Sequence, residues 1–90
     1  MLESEIEKQI VKWAADRGGE ALKLKDQQRG FPDRTIFLPG MQILLPEIKR
    51  PKKNKRYEQQ KRRVRWLQEM GFASDFVESL GDLEELYVSY

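Results

Sequence analysis

The amino-acid sequence predicts a single α/β domain in which a helix is followed by three strands, a second helix, a fourth strand and a last helix. The length of 90 residues is that of one small domain. Apolar residues recur at helical spacing in three segments, and short β-prone runs bounded by Gly and Pro lie between them. No internal repeat or linker interrupts the pattern, so we assign residues 1–90 to one domain.

The first segment predicts an amphipathic helix over about residues 3–17. Ile6, Ile10 and Trp13 fall at helical spacing and form one apolar face. Gly18-Gly19 follows directly and is typical of a helix C-terminus.

Three strands are predicted next. Residues 20–25 alternate between apolar and polar, and residues 35–38 form a short β-prone run. The turn Pro39-Gly40 joins that run to a third strand over residues 41–49, which predicts a hairpin. Pro46 lies inside the third strand and cannot donate a ladder hydrogen bond, so we expect an edge strand or a bulge there.

The second half of the chain predicts a helix over residues 57–70, a strand over 72–77 and a last helix. Asp82 is a suitable N-cap for that last helix. Glu85, three residues further on, resembles the second member of a capping box.

The composition limits the chemistry available to this chain. It contains no cysteine and no histidine, which excludes disulfides, thiol nucleophiles and the Ser-His triad. Any catalysis must therefore use carboxylates, lysine, hydroxyls or hard oxygen-bound metals such as Mg²⁺ or Mn²⁺.

We expect a soluble cytoplasmic protein with no membrane partner. No apolar run approaches the roughly 18 residues that a membrane span needs. The first residues, Met1 to Glu5, are acidic and unlike a signal peptide.

Residues 49–65 form a dense basic block that predicts a polyanion partner such as nucleic acid. The block contains ten Lys or Arg and one Glu, a charge of +9, so the remainder must carry −7 of the total of +2. A solvated helix face without a partner is the alternative. Tyr57 and Trp66 either stack on bases or belong to the core, and Trp66 also suits a subunit contact. The candidate phosphate contacts are Arg50, Lys52, Lys53, Lys55, Arg56, Lys61, Arg62, Arg63 and Arg65.

The candidate catalytic residues are Asp33, Glu47 and Lys49. Glu47 and Lys49 are two residues apart in a predicted strand and share a face, whereas Ile48 points into the core. The hairpin can bring Asp33 beside Glu47, and two close carboxylates favour a divalent cation between them. The alternative is that Asp33 is a turn residue and Glu47 forms a surface ion pair with Lys49 or Arg34.

Two further polar side chains lie near predicted apolar faces. Glu3, with Glu7 as the alternative, can reach inward from the first helix, although acidic residues also favour a helix N-terminus without any function. Gln60 shares a face with Val64 and Leu67 and needs a partner there. A site water, a DNA phosphate and a backbone carbonyl are all open.

Four stretches together resemble the VRR-NUC domain, a branch of the PD-(D/E)XK nuclease superfamily. These are the first helix ending in Gly18-Gly19, Gly30-Phe31-Pro32-Asp33-Arg34, the run from Leu45 to Pro51, and the segment from Gln60 to Gly71. The resemblance covers nearly the whole chain and implies a mixed sheet flanked by helices. Pro46 departs from the pattern, because the family usually carries an apolar or β-branched residue there.

The resemblance implies a metal-dependent endodeoxyribonuclease that uses Mg²⁺ or Mn²⁺ and no small-molecule cofactor. Lys49 would be the catalytic lysine and Gln60 an active-site amide. The implied metal ligands are Glu3, Asp33, Glu47 and the Ile48 carbonyl.

Stand-alone members of this size resemble dimeric, structure-specific enzymes of bacteria or phages that resolve four-way DNA junctions. We therefore expect a homodimer acting on branched DNA in the cytoplasm of a bacterium or a phage-infected cell. The rival hypothesis is a basic module that binds nucleic acid without cutting it.

Overall fold

The helices and strands follow one another in the predicted order. A computed structural model describes residues 3–23, 34–48 and 55–89, without the side chains of residues 3, 4, 55 and 56. The elements are α1 (Glu3–Asp16), β1 (Glu20–Leu22), β2 (Thr35–Leu38), β3 (Gln42–Ile48), α2 (Lys55–Glu69), β4 (Ala73–Val77) and α3 (Leu80–Val88). The predicted α/β fold class is confirmed.

The four strands form one mixed sheet in the order β1-β2-β3-β4. The first three strands are antiparallel neighbours, and β2 and β3 form the predicted hairpin with Phe37 opposite Ile43. β4 pairs with β3 in parallel, with Glu47 opposite Phe76 and Ile48 opposite Val77. The chain between β3 and β4 contains α2, as a parallel connection requires.

Helices lie on both faces of the sheet. The main core lies between α1, α3 and one sheet face, and its strand residues are Ala21, Ile36, Leu38, Leu44, Ile48, Ala73 and Val77. Successive strand residues point to opposite faces, so Glu47 and Phe76 face the other way. There α2 packs chiefly against β4, with Val64 and Leu67 buried. β3 is thus apolar on one face and carries a buried carboxylate on the other.

A polar and aromatic cluster joins α1 to α3 at the edge of the core. Glu84 accepts hydrogen bonds from Trp13 Nε1 at 2.7 Å and from Arg17 Nη2 at 2.6 Å. The Arg17 guanidinium lies 4.0 Å from the centre of the Trp13 ring, and Tyr87 meets that ring edge-on. These contacts fix the relative position of the two helices that cover the core face.

Pro46 does not mark an edge strand or a bulge, so that prediction is wrong. β3 is an inner strand, and its ladder with β4 runs one residue for one residue from Leu44 to Ile48. The register between β2 and β3 ends at Leu44, so Pro46 lies where the described ladder continues only toward β4. A strand can hold proline at such a point because the missing N–H breaks no described pairing with β2.

The last helix begins three residues earlier than the sequence predicts. Ser79 is its N-cap, and the Ser79 hydroxyl accepts a hydrogen bond from Asp82 N at 3.2 Å. Asp82 lies in the first turn, where its carboxylate accepts from Glu78 N at 2.8 Å. Asp82 is therefore not the N-cap, although it supports the cap from the third helical position.

The Gly pair after α1 ends the helix as predicted. Gly18 adopts a φ of 80°, and Gly19 N donates to Ala14 O at 2.9 Å in a Schellman arrangement. Gly19 then passes close to β2, where an added Cβ would overlap the Phe37 carbonyl oxygen and lie 2.8 Å from Leu38 Cδ2. Within the described parts of the chain, no helix is both long enough and apolar enough to cross a bilayer.

We expect Gly19→Ala to destabilise the domain by about 1–3 kcal/mol, because the added methyl group forces α1 away from the rigid backbone of β2. Urea unfolding followed by circular dichroism measures this change. Gly81→Ala is the matched control, since its Cβ would meet only Ser79 Oγ at 3.5 Å. That control should be neutral or slightly stabilising, because alanine favours a helix. Equal unfolding midpoints for the two variants would contradict the packing argument.

Candidate active site

Glu47 is a charged residue that the fold buries completely. It has 0% relative exposure and lies near the C-terminal end of β3, on the sheet face that α2 covers. Its strand neighbour Ile48 belongs to the core on the opposite face, as the strand period predicts. Glu47 therefore does not lie on the surface, as the alternative of a surface ion pair requires.

Gln60 reaches Glu47 from α2. The Gln60 side chain is 5% exposed and lies on the same stripe as Val64 and Leu67. Its Nε2 donates a 2.6 Å hydrogen bond to Glu47 Oε1. The structure thus brings two predicted site residues together, and Gln60 bonds to a carboxylate, which is none of the three partners that the sequence left open.

The carboxylate and amide have a clear electrostatic consequence. An ionised carboxylate loses its hydration when it is buried, and a hydrogen bond from a neutral amide offsets only part of that cost. A divalent cation that accepts carboxylate oxygens would offset much more, and hard oxygen donors suit Mg²⁺ and Mn²⁺. The residues at this position therefore fit the metal that the sequence implies.

Three of the other predicted catalytic or metal-binding side chains are not described in the structure. Asp33 and Lys49 lie outside the described residues, and Glu3 begins α1 without a described side chain. Among the side chains that the structure describes, no three acidic groups come close enough together to hold a metal ion. Glu47 is therefore the proposed carboxylate ligand that the structure locates.

The Glu7 carboxylate pairs with basic side chains, which a free metal ligand would not do. Its Oε1 accepts from Arg34 Nε at 3.2 Å and lies 3.9 Å from Lys23 Nζ. The Arg34 guanidinium is 18% exposed and also lies 3.5 Å from the Ala21 carbonyl oxygen. This ion pair ties α1 to the start of β2, a role that sequence reasoning missed because the partners are far apart in the chain.

The basic residues of α2 lie mainly on its solvent side. Lys61, Arg62 and Arg65 are exposed, and Arg63 is partly exposed. Lys55 and Arg56 belong to α2 without described side chains, and Arg50, Lys52 and Lys53 fall outside the described residues. Tyr57 packs against Phe76 with ring centres 5.6 Å apart, which favours a packing role over base stacking.

Comparison with solved structures finds the same fold in a VRR_NUC domain. That domain superposes on this chain with a TM-score of 0.78 and 24% sequence identity, covering 98% of this chain and 96% of the other. No protein-family model and no curated protein sequence matches. The likeness shows that the chain has the VRR_NUC fold, with its mixed sheet flanked by helices, and confirms the predicted resemblance at the level of the fold.

We expect Glu47→Gln to keep the fold in metal-free buffer, because glutamine has nearly the same shape as glutamate and keeps an oxygen that can accept from Gln60. Addition of Mn²⁺ should stabilise the wild type by about 2.7 kcal/mol at 100 times its dissociation constant. The Glu47→Gln variant should lose that response. Thermal unfolding with and without Mn²⁺ measures both effects.

Glu69→Gln is the matched control for this experiment, because Glu69 is an exposed glutamate at the end of α2. It should keep the wild-type response to Mn²⁺. A response to Mn²⁺ that survives in Glu47→Gln would mean that Glu47 is not a metal ligand.

Proposed function

We propose that this protein is a divalent-metal-dependent endonuclease that hydrolyses phosphodiester bonds in DNA. The observation that carries the proposal is the buried Glu47 carboxylate bonded to Gln60 in a domain with the VRR_NUC fold. Burial of a carboxylate costs stability unless hydrogen bonds, an opposite charge or a bound cation offset the lost hydration, so a buried carboxylate is often functional. Holding a catalytic cation is the purpose that its donor atoms suit.

We assign Mg²⁺ or Mn²⁺ to four ligands: the carboxylates of Glu3, Asp33 and Glu47 and the carbonyl oxygen of Ile48. When bound, the cation would polarise the phosphodiester and lower the pKa of a bound water molecule. We prefer Glu3 to Glu7, since the Glu7 carboxylate already pairs with Arg34 and Lys23.

The chain's own residues perform the remaining steps. Gln60 holds the Glu47 carboxylate in one orientation through its 2.6 Å hydrogen bond. Lys49, two residues after Glu47, has the spacing at which strand side chains share a face. Its ammonium group would stabilise the negative charge that develops on the phosphoryl oxygens.

The substrate is proposed to be DNA because of the basic block. Its exposed α2 members, Lys61, Arg62 and Arg65, form a cationic surface on the same helix that supplies Gln60. Binding through phosphate contacts should weaken steeply with salt, by about 0.9 in log K per log unit of salt for each contact.

We further propose branched DNA, such as a four-way junction, as the preferred substrate and a homodimer as the active form. Two sites in a symmetric dimer suit paired incisions, and a second copy would supplement the small core. The sheet face that carries Glu47 also exposes Leu22 by 37% and Phe37 by 41% on strands remote from β4. These apolar side chains provide a surface for the second copy.

The activity test is cleavage of a labelled four-way junction beside a linear duplex of the same sequence, with Mg²⁺, Mn²⁺ or EDTA. We expect metal-dependent cutting of the junction in preference to the duplex. Lys49→Ala should reduce the rate by about 100-fold or more, because it removes transition-state charge stabilisation. Arg65→Ala is the control and should weaken binding without abolishing cutting.

Equal rates on the junction and the linear duplex would exclude the branched-substrate proposal and leave the nuclease proposal intact. Salt-sensitive binding without cutting under any metal would instead identify a non-catalytic nucleic-acid-binding module.

The dimer is tested by sedimentation equilibrium at micromolar concentration. Phe37→Asp should raise the dimer dissociation constant at least about tenfold, because it buries a charge in an apolar contact. Val88→Asp, at a position 76% exposed on α3, is the matched control and should leave the mass unchanged. A monomeric wild type would refute the dimer.

A further inference from the structure

A cleft on the side of α2 carries an exposed aromatic ring among basic groups. Gln59, Arg62, Arg63 and Trp66 line it. Trp66 is 44% exposed, and the Arg63 guanidinium lies 4.9 Å from the centre of one of its rings. The cleft therefore presents an exposed aromatic ring directly beside cationic groups.

The position of the cleft around α2 follows from the helix contacts. Gln60 contacts Glu47 on the buried side of the helix, whereas Gln68 donates to the Ser74 carbonyl of β4 at 2.7 Å. At 100° per residue, Gln68 lies about 80° to one side of Gln60, and Trp66 lies about 120° to the other. The cleft therefore faces away from β4, on the flank of α2 nearer to β3.

The chemistry of the cleft fits a nucleotide better than an aliphatic protein surface. Two guanidinium groups, from Arg62 and Arg63, attract a phosphate. The Gln59 amide offers both a donor and an acceptor to the edge of a base. The indole ring provides a stacking surface that tolerates any base.

We propose that this cleft binds one unpaired nucleotide of the DNA substrate, with its base stacked on Trp66 and its phosphate held by Arg62 and Arg63. A base inside a duplex is already stacked on both faces, so only an unpaired or displaced base can occupy the ring. A branch point supplies such bases, because the base pairs there can lack a stacking neighbour on one face and open more readily than base pairs inside a linear duplex. This inference rests on the proposed nuclease function and identifies the group that would distinguish branched DNA from linear duplex.

The spacing along α2 gives the inference a second consequence. Trp66 is six residues beyond Gln60, which is about 9 Å along the helix axis. Trp66 also lies about 120° around the helix from Gln60. The scissile phosphodiester should therefore belong to a nucleotide near the one that stacks on Trp66, and not to that nucleotide itself.

Tryptophan fluorescence tests the stacking directly, because the other tryptophan, Trp13, is only 5% exposed. The measurement uses the Lys49→Ala variant in metal-free buffer, so that no DNA is cut. The probes are a four-way junction, a short single-stranded oligonucleotide and a long linear duplex with blunt ends. We expect the first two to quench the Trp66 emission and the linear duplex to leave it nearly unchanged.

Binding of the same probes separates stacking from charge. Trp66→Ala should weaken binding of the junction and single strand by roughly 5- to 150-fold, the range that corresponds to loss of one stacked base, and binding of the linear duplex far less. Trp66→Phe should recover most of the lost affinity, since a phenyl ring also stacks. Arg65→Gln is the matched control and should weaken the binding of all three probes to a similar extent.

Three results would overturn the inference. The first is an equal loss of affinity for all probes in Trp66→Ala, and the second is no quenching by single-stranded DNA that is bound. The third is a changed sedimentation mass in Trp66→Ala with unchanged preference among probes, which would make Trp66 a subunit contact. Quenching without any cleavage by the wild type would support the nucleotide site and refute the nuclease, so the two failures are distinguishable.

Discussion

The burial of the Glu47 carboxylate is the constraint on which the arrangement of this domain depends. A strand that carries an ion on one face and a core residue on the other must have both faces covered. α1 and α3 cover the face of Ile48, and α2 covers that of Glu47. Helices therefore cover both faces of the sheet at β3. The Glu47 carboxylate is isolated from bulk water beneath α2.

α2 covers the Glu47 face of the sheet with a narrow stripe of buried side chains. Gln60, Val64 and Leu67 are its buried residues, and burial of each apolar side chain contributes only about 1.5–3 kcal/mol. Most of the helix circumference therefore carries side chains that are not buried against the sheet. That freedom allows one helix both to orient a buried carboxylate and to present a broad cationic surface to solvent.

Opposite charges are thus separated across the thickness of α2. The anionic group lies beneath the helix, where low polarity strengthens electrostatic interactions, and the cationic groups lie outside, where they can contact an extended polyanion. A phosphate backbone that follows the outer surface would approach the carboxylate only from the side. The exposed ring of Trp66 lies on one such flank. Under the proposed function, this geometry would link DNA binding and catalysis through a single helix.

The sequence by itself determined the order of the elements, the β2–β3 hairpin, the Gly stop after α1 and the opposite directions of Glu47 and Ile48. Each of these follows from local periodicity or turn chemistry, which neighbouring residues encode. Only the tertiary structure decided that β3 is an inner strand despite Pro46, that Ser79 caps α3, and that Gln60 bonds to Glu47 while Arg34 bonds to Glu7. The inner position and the two side-chain pairs depend on elements distant in sequence, and the cap depends on which of two polar residues three positions apart, Ser79 or Asp82, lies at the start of the packed helix. Local propensity and residue spacing do not specify these contacts, because the folded arrangement of the chain is what brings each contact partner close.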